Sequence, residues 1–71
     1  MAESVNAPMV GKVLRVESKA GDRVQEDDVL FVLEAMKMEI PVVSPRAGVI
    51  KEIKVAAGDS VEADALLAII D

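Results

Sequence analysis

Ala20-Gly21-Asp22-Arg23-Val24 and Ala57-Gly58-Asp59-Ser60-Val61 are two versions of one segment, 37 positions apart. They set the register of an internal duplication, the feature to look for before any other. At that offset residues 7–34 lie over residues 44–71 without a gap, and eight of the 28 pairs are identical. The identities are Pro8/Pro45, Gly11/Gly48, Ala20/Ala57, Gly21/Gly58, Asp22/Asp59, Val24/Val61, Asp27/Asp64 and Leu30/Leu67. Apolar character is kept at Val13/Ile50, Val16/Ile53, Val29/Leu66, Val32/Ile69 and Leu33/Ile70.

Each copy reads as β-structure. Val10 to Val16 and Gly48 to Val55 are short runs rich in β-branched residues, which suit a pleated surface. The Ala-Gly-Asp triplets that follow are turn signals, and Gly21 and Gly58 supply the positive φ such turns demand. Val29 to Leu33 and Leu66 to Ile70 are second apolar runs of strand length, too short for helices. The segments Gln25–Asp28 and Glu62–Ala65 are bounded too closely to extend a helical turn. Two equal β halves are expected to bury their apolar faces against each other. The predicted fold is all-β: a small sandwich or flattened barrel with pseudo-twofold symmetry. One half alone would be a poorly stable meander, so residues 1–71 are expected to form a single domain.

Composition narrows the function. The chain has 71 residues, with 8 basic against 13 acidic side chains and a net charge of −5. No basic face is available, so no nucleic-acid partner is expected. The absence of histidine and cysteine removes the usual general base, the thiol nucleophile and the commonest metal ligands, and no metal site is expected. A self-sufficient enzyme is not expected from a chain this short. No apolar run approaches the roughly 20 residues that span a bilayer, and the first residues lack the pattern of a signal peptide. The expected setting is soluble and cytoplasmic, with no membrane partner. Hydrophobic residues make up 52% with one aromatic, Phe31, so the core must be aliphatic.

Between the copies lies Ala35-Met36-Lys37-Met38-Glu39-Ile40-Pro41-Val42-Val43, the one stretch not duplicated. It joins the last strand of one half to the first strand of the next, which calls for a hairpin. Favoured two-residue hairpin turns use Asn-Gly or Asp-Gly, and residues 35–43 contain no Gly, Asn or Asp. Met-Lys-Met stands where the chain must reverse. A local rule broken in an otherwise consistent sequence marks a functional position. The lysine offers an amine on a flexible stem, and the methionines offer adaptable apolar contacts.

Glu34-Ala35-Met36-Lys37-Met38 resembles the attachment motif of biotinyl domains, the carboxyl-carrier modules of biotin-dependent carboxylases. The resemblance covers essentially the whole chain: Ala7-Pro8-Met9-Val10-Gly11-Lys12-Val13 is similar to the family's opening strand, both Ala-Gly-Asp turns to its paired turns, and Ser44-Pro45-Arg46-Ala47-Gly48-Val49-Ile50 to its second opening. Glu39 to Val43 is similar to small stand-alone biotin/lipoyl attachment proteins. The resemblance implies a barrel-sandwich hybrid of two four-stranded antiparallel sheets with Lys37 on an exposed hairpin. It implies covalent biotin on Lys37, with Met36 and Met38 read by partners and Glu34 and Ala35 completing the motif. The implied partners are a biotin protein ligase, a biotin carboxylase and a carboxyltransferase, and the chain itself would be a carrier without catalytic groups. The ungapped repeat leaves no room for the thumb that some bacterial carriers insert in the first half. Whether the chain is a stand-alone carrier or a segment excised from a longer subunit stays open. The alternative is a lipoyl carrier of a 2-oxo-acid dehydrogenase complex, although lipoyl lysines usually follow Asp and lack flanking methionines. A structural barrel without an attached group is the reading from another class.

Overall fold

The computed structural model describes residues 2–71; Met1, part of the expected 1–71 unit, lies outside the described residues. Eight strands follow in order: β1 (Glu3–Asn6), β2 (Gly11–Val16), β3 (Arg23–Val24), β4 (Val29–Ala35), β5 (Met38–Val43), β6 (Gly48–Ile53), β7 (Ser60–Val61) and β8 (Leu66–Ile70). There is no helix among the described residues, and so none long and apolar enough to cross a membrane. The strands form two four-stranded sheets, in the orders β1-β8-β6-β3 and β5-β4-β2-β7, with every pair antiparallel. The architecture is the flattened sandwich form of the barrel-sandwich hybrid.

The duplication is built into the topology. A 37-residue shift carries β2 onto β6 and β3 onto β7 residue for residue. It also carries β1 into β5, outside the span where the sequence match is legible. The hydrogen bonds obey the same shift. Gly21 N–H donates to Ile50 O and Ile50 N–H to Asp22 O, while Gly58 N–H donates to Val13 O and Val13 N–H to Asp59 O. Asp27 N–H donates to Ser44 O and Ser44 N–H to Asp28 O; the twin bonds are Asp64 N–H to Ala7 O and Ala7 N–H to Ala65 O.

One expectation is revised. The halves do not each supply a sheet. Each sheet takes two strands from each half: β1 and β3 join β8 and β6, and β5 and β7 join β4 and β2. The reason lies in the two-residue strands β3 and β7. Each crosses after its glycine turn to the opposite sheet, where its hydrogen bonds are satisfied. The halves are therefore interlocked, and neither has a complete sheet of its own.

The core lies between the sheets. Val5, Ile50, Leu67 and Ile70 from one sheet meet Val13, Leu30, Phe31 and Leu33 from the other, all buried. Phe31 is fully covered, and its companions are aliphatic, as the composition requires. Burying such side chains contributes roughly 1.5–3 kcal/mol each before conformational entropy is set against it. Ser44 is the one buried polar side chain among the described residues. Its hydroxyl donates to Arg46 O at 2.6 Å, so among the described residues no buried side-chain polar atom is left unsatisfied.

Candidate functional site

The β4–β5 hairpin projects its turn from the sandwich. Its register runs from Phe31↔Val42 through Val32↔Pro41, Leu33↔Ile40 and Glu34↔Glu39 to Ala35↔Met38. Only Met36 and Lys37 remain for the reversal. Both take positive φ, 53° and 62°. Positive φ at both central residues is the mark of a type I′ turn, whose twist matches the right-handed twist of the strands it joins. Neither residue is one that adopts this conformation readily. The left-handed region costs an ordinary side chain on the order of 1 kcal/mol. The hairpin holds it because the long β4–β5 ladder fixes both ends.

The strands position the tip by ordinary means. Ala35 is buried at the end of β4, small enough to sit beneath the turn. β5 is an edge strand, and Pro41 occupies it without disrupting a central ladder. Arg15 on β2 reaches across β4 to Glu39, with Nη2 at 3.3 Å from Oε1, and its Nε lies 3.5 Å from Glu17 Oε2. These pairs are exposed, so they are worth at most about 1 kcal/mol, but they tie the edge strand to the sheet.

At the tip the side chains face water. Met36 is 89% exposed and Met38 is 64% exposed. Lys37 is exposed, and its ammonium has no hydrogen bond or ion pair with any described residue. An amine presented this way can take an acyl group without displacing a structural contact. Glu34 is exposed one register pair behind Ala35, facing Glu39 on one side and Lys12 on the other. Thus the structure brings together the five residues of the motif, Glu34 to Met38, as the end of one hairpin.

It also adds residues that sequence reading left apart. An open groove of about 520 Å³ beside the turn is lined by Glu34, Ala35 and Met36 together with Val10, Lys12 and Glu62. The pairing Gly11↔Val61 and Lys12↔Ser60 puts these segments beside the hairpin. That pairing joins residues 48 and 50 apart through a two-residue strand, so no local signal announces it. Glu62, exposed just after β7, also stands at this groove. Among the described residues no group of three His, Cys, Asp or Glu side chains is placed to hold a metal ion. The carboxyl of Glu52 is held below its ordinary range by a hydrogen bond from the Lys54 ammonium at 2.8 Å and by that ammonium's charge, but it lies on β6 in the other sheet.

The chain matches the family described as "Biotin-requiring enzyme" over residues 3–70. It belongs to that family. Two relatives match it along essentially the whole chain. The biotinylated protein TB7.3 homologue of Mycobacterium leprae is 46% identical over 70 residues, covering 99% of each chain. The homologue of Mycolicibacterium smegmatis is 51% identical over 71 residues, covering all of both. Among solved structures, the urea carboxylase of Kluyveromyces lactis superposes on the whole chain with a TM-score of 0.94 and 32% identity. The chain spans 6% of that carboxylase.

Proposed function

We propose that Lys37 is the biotin attachment site and that the protein serves as a biotin carboxyl carrier. The observation that carries the reading is the turn itself. Two residues unsuited to left-handed backbone are held in it, and they present an unpartnered amine between two exposed methionines. Membership of the biotin-requiring family supplies the group. The two full-length relatives are named as biotinylated proteins, and the solved relative as a urea carboxylase.

Loading requires the Lys37 amine, after losing a proton, to attack the acyl carbon of an activated biotinyl adenylate; an amide forms and AMP leaves. A biotin protein ligase is the partner proposed for that step. When attached, biotin supplies a ureido nitrogen that takes up and gives back a carboxyl group. The chain's own part is presentation. The rigid ladder fixes the base of the arm, and the lysine stem supplies its reach. The sequence has no histidine and no cysteine, which supports a carrier that works between a biotin carboxylase and a carboxyltransferase. The ATP-dependent loading step supports the cytoplasm as its setting. The motif residues divide the work: Met36 and Met38 offer apolar contacts to the partners, Ala35 fills the space under the turn, and Glu34 stands at the groove beside it.

The test is the intact mass after incubation with a biotin protein ligase, biotin and ATP, beside a parallel reaction with a lipoate ligase and lipoate. The expected result is one biotin less one water, absent in Lys37→Arg, whose guanidinium is not an acylation nucleophile at neutral pH. Lys37→Arg should keep the fold, since the side chain it replaces has no partner. Addition of lipoate alone would move the protein to acyl transfer. Addition from neither ligase would sink the carrier reading.

A further inference from the structure

The tip concentrates the chain's sulfur. The sequence has no cysteine and four methionines, so every sulfur is a thioether. Two of the four stand on either side of Lys37. Their exposures, 89% for Met36 and 64% for Met38, exceed the 37% of Met9. Neither belongs to the core cluster between the sheets. Val10, 66% exposed, lines the groove with Met36, and Met38 stands on the edge strand on the other side of the turn, so all three apolar side chains are open among the described residues. Large apolar side chains left this open around a reactive amine are contact surface for whatever handles that amine.

We propose that Met36 and Met38 are a reversible oxidation site that switches off the loading of Lys37. The proposal rests on the reading of Lys37 as the biotin acceptor. The oxidant class is a peroxide. A thioether sulfur attacks one peroxide oxygen, the O–O bond breaks, the sulfoxide forms and water leaves. Sulfur loses two electrons and the peroxide gains them. The reverse step is the reduction of the sulfoxide by a dithiol in a methionine sulfoxide reductase, which returns the thioether, a disulfide and water.

Two physical consequences separate this site from ordinary oxidative damage. A sulfoxide in a core disrupts packing, but these side chains contribute nothing to the core, so the oxidised protein stays folded. The change falls instead on recognition. A sulfoxide is polar and chiral where the thioether was apolar and adaptable. A partner that seats either methionine must then bury an S=O group with no hydrogen bond waiting for it. That penalty corresponds to roughly a tenfold loss in loading rate for each seated side chain. With no thiol in the chain to intercept the oxidant, the thioethers receive it directly.

The experiment treats the whole protein with hydrogen peroxide, removes the peroxide, and maps the added oxygen by peptide mass. Loading by a biotin protein ligase is then timed before treatment, after treatment, and after repair by a methionine sulfoxide reductase. The same series is run on Met36→Leu/Met38→Leu, with each protein compared with its own untreated rate. The proposal expects oxygen on Met36 and Met38 ahead of Met9, an unchanged thermal transition, and loading slowed by about tenfold or more. It also expects recovery after repair, and a double variant indifferent to peroxide. Wild-type protein that carries both sulfoxides yet loads at its untreated rate overturns the switch. So does a double variant that peroxide slows as much as wild type. Untreated protein that accepts no biotin at all overturns the carrier reading beneath it, and the two failures are told apart by that first time course.

Discussion

The turns at Gly21 and Gly58 and the turn at Met36-Lys37 use the same left-handed region of backbone with opposite residue choices. Gly21 and Gly58 stand at φ of 94° and 97°, and a Cβ added at either would meet nothing within 4 Å. Glycine is there for the backbone alone. At the hairpin tip φ is 53° and 62°, a conformation for which Asn-Gly is the favoured solution, and the chain carries Met-Lys instead. The difference separates two demands. Where the turn only has to route the chain to the opposite sheet, the residue with the least strain occupies it. Where the turn has to present chemistry, side chains are kept and the strain is borne by the ladder on either side.

The largest effect should come from Gly58→Val, or Gly21→Val. A β-branched side chain at φ near 95° is strained whatever space surrounds it, and the expected loss is about 2 kcal/mol. In a domain of this size that is a large part of the total stability, since such cores rarely supply more than roughly 3–5 kcal/mol. Chemical denaturation of each variant measures it. Because the two turns are related by the duplication and make matching hydrogen bonds, their losses should agree within about 0.5 kcal/mol. A variant that unfolds at the wild-type midpoint would mean that the glycine choice is not about φ, and the contrast with the tip would collapse.

Next in size is the converse change. Met36→Asn with Lys37→Gly gives the tip the residues its geometry favours. The midpoint of denaturation should rise, by about 1–2 kcal/mol in all, while acceptor function is lost with the amine. Met36→Asn alone should give part of the gain and leave the Lys37 amine in place, so the strain at Met36 is measured apart from that at Lys37. No gain in either variant would show that the hairpin ladder absorbs the left-handed conformation without strain.

Much of this contrast was legible in the sequence, and for a physical reason. Turn chemistry is local: Ala-Gly-Asp announces a positive φ, and a hairpin with no Gly, Asn or Asp announces a conflict. Four of the five longer strands were legible too, because β2, β4, β6 and β8 carry enough β-branched residues to show themselves. The two-residue strands β3 and β7 were not, since Arg23-Val24 and Ser60-Val61 are too short to have a period. With them went the exchange of strands between sheets, which depends on pairings such as Gly11↔Val61 that no neighbouring residue encodes. β1 was not legible because Glu3 to Asn6 is short and polar, and under the 37-residue shift it keeps only Val5/Val42 of its match to β5. Lys37 and its methionines were legible as the exception to the repeat. The groove with Val10, Lys12 and Glu62 was not, because it follows from the exchanged strands.

The smallest expected effect is the most discriminating for the comparison. Asp27 and Asp64 are also left-handed, with φ of 73° and 66°, and they too are related by the 37-residue shift. Neither side chain makes a hydrogen bond or ion pair with the described residues, and each backbone N–H is bonded across the interlock. Aspartate tolerates this region better than methionine or lysine. Asp64→Gly therefore relieves little strain and adds freedom to the unfolded chain, two terms of opposite sign. The net change should stay within roughly 0.5 kcal/mol of zero. Lys37→Gly faces the same entropy but relieves more strain, so it should be the more stable of the two single variants relative to wild type. If Asp64→Gly stabilises as much as Lys37→Gly, the tip is no more strained than a turn with no function. The presence of Met-Lys there would then owe nothing to a compromise between backbone and chemistry. If Lys37→Gly gains and Asp64→Gly does not, the strain is specific to the residues that present the amine.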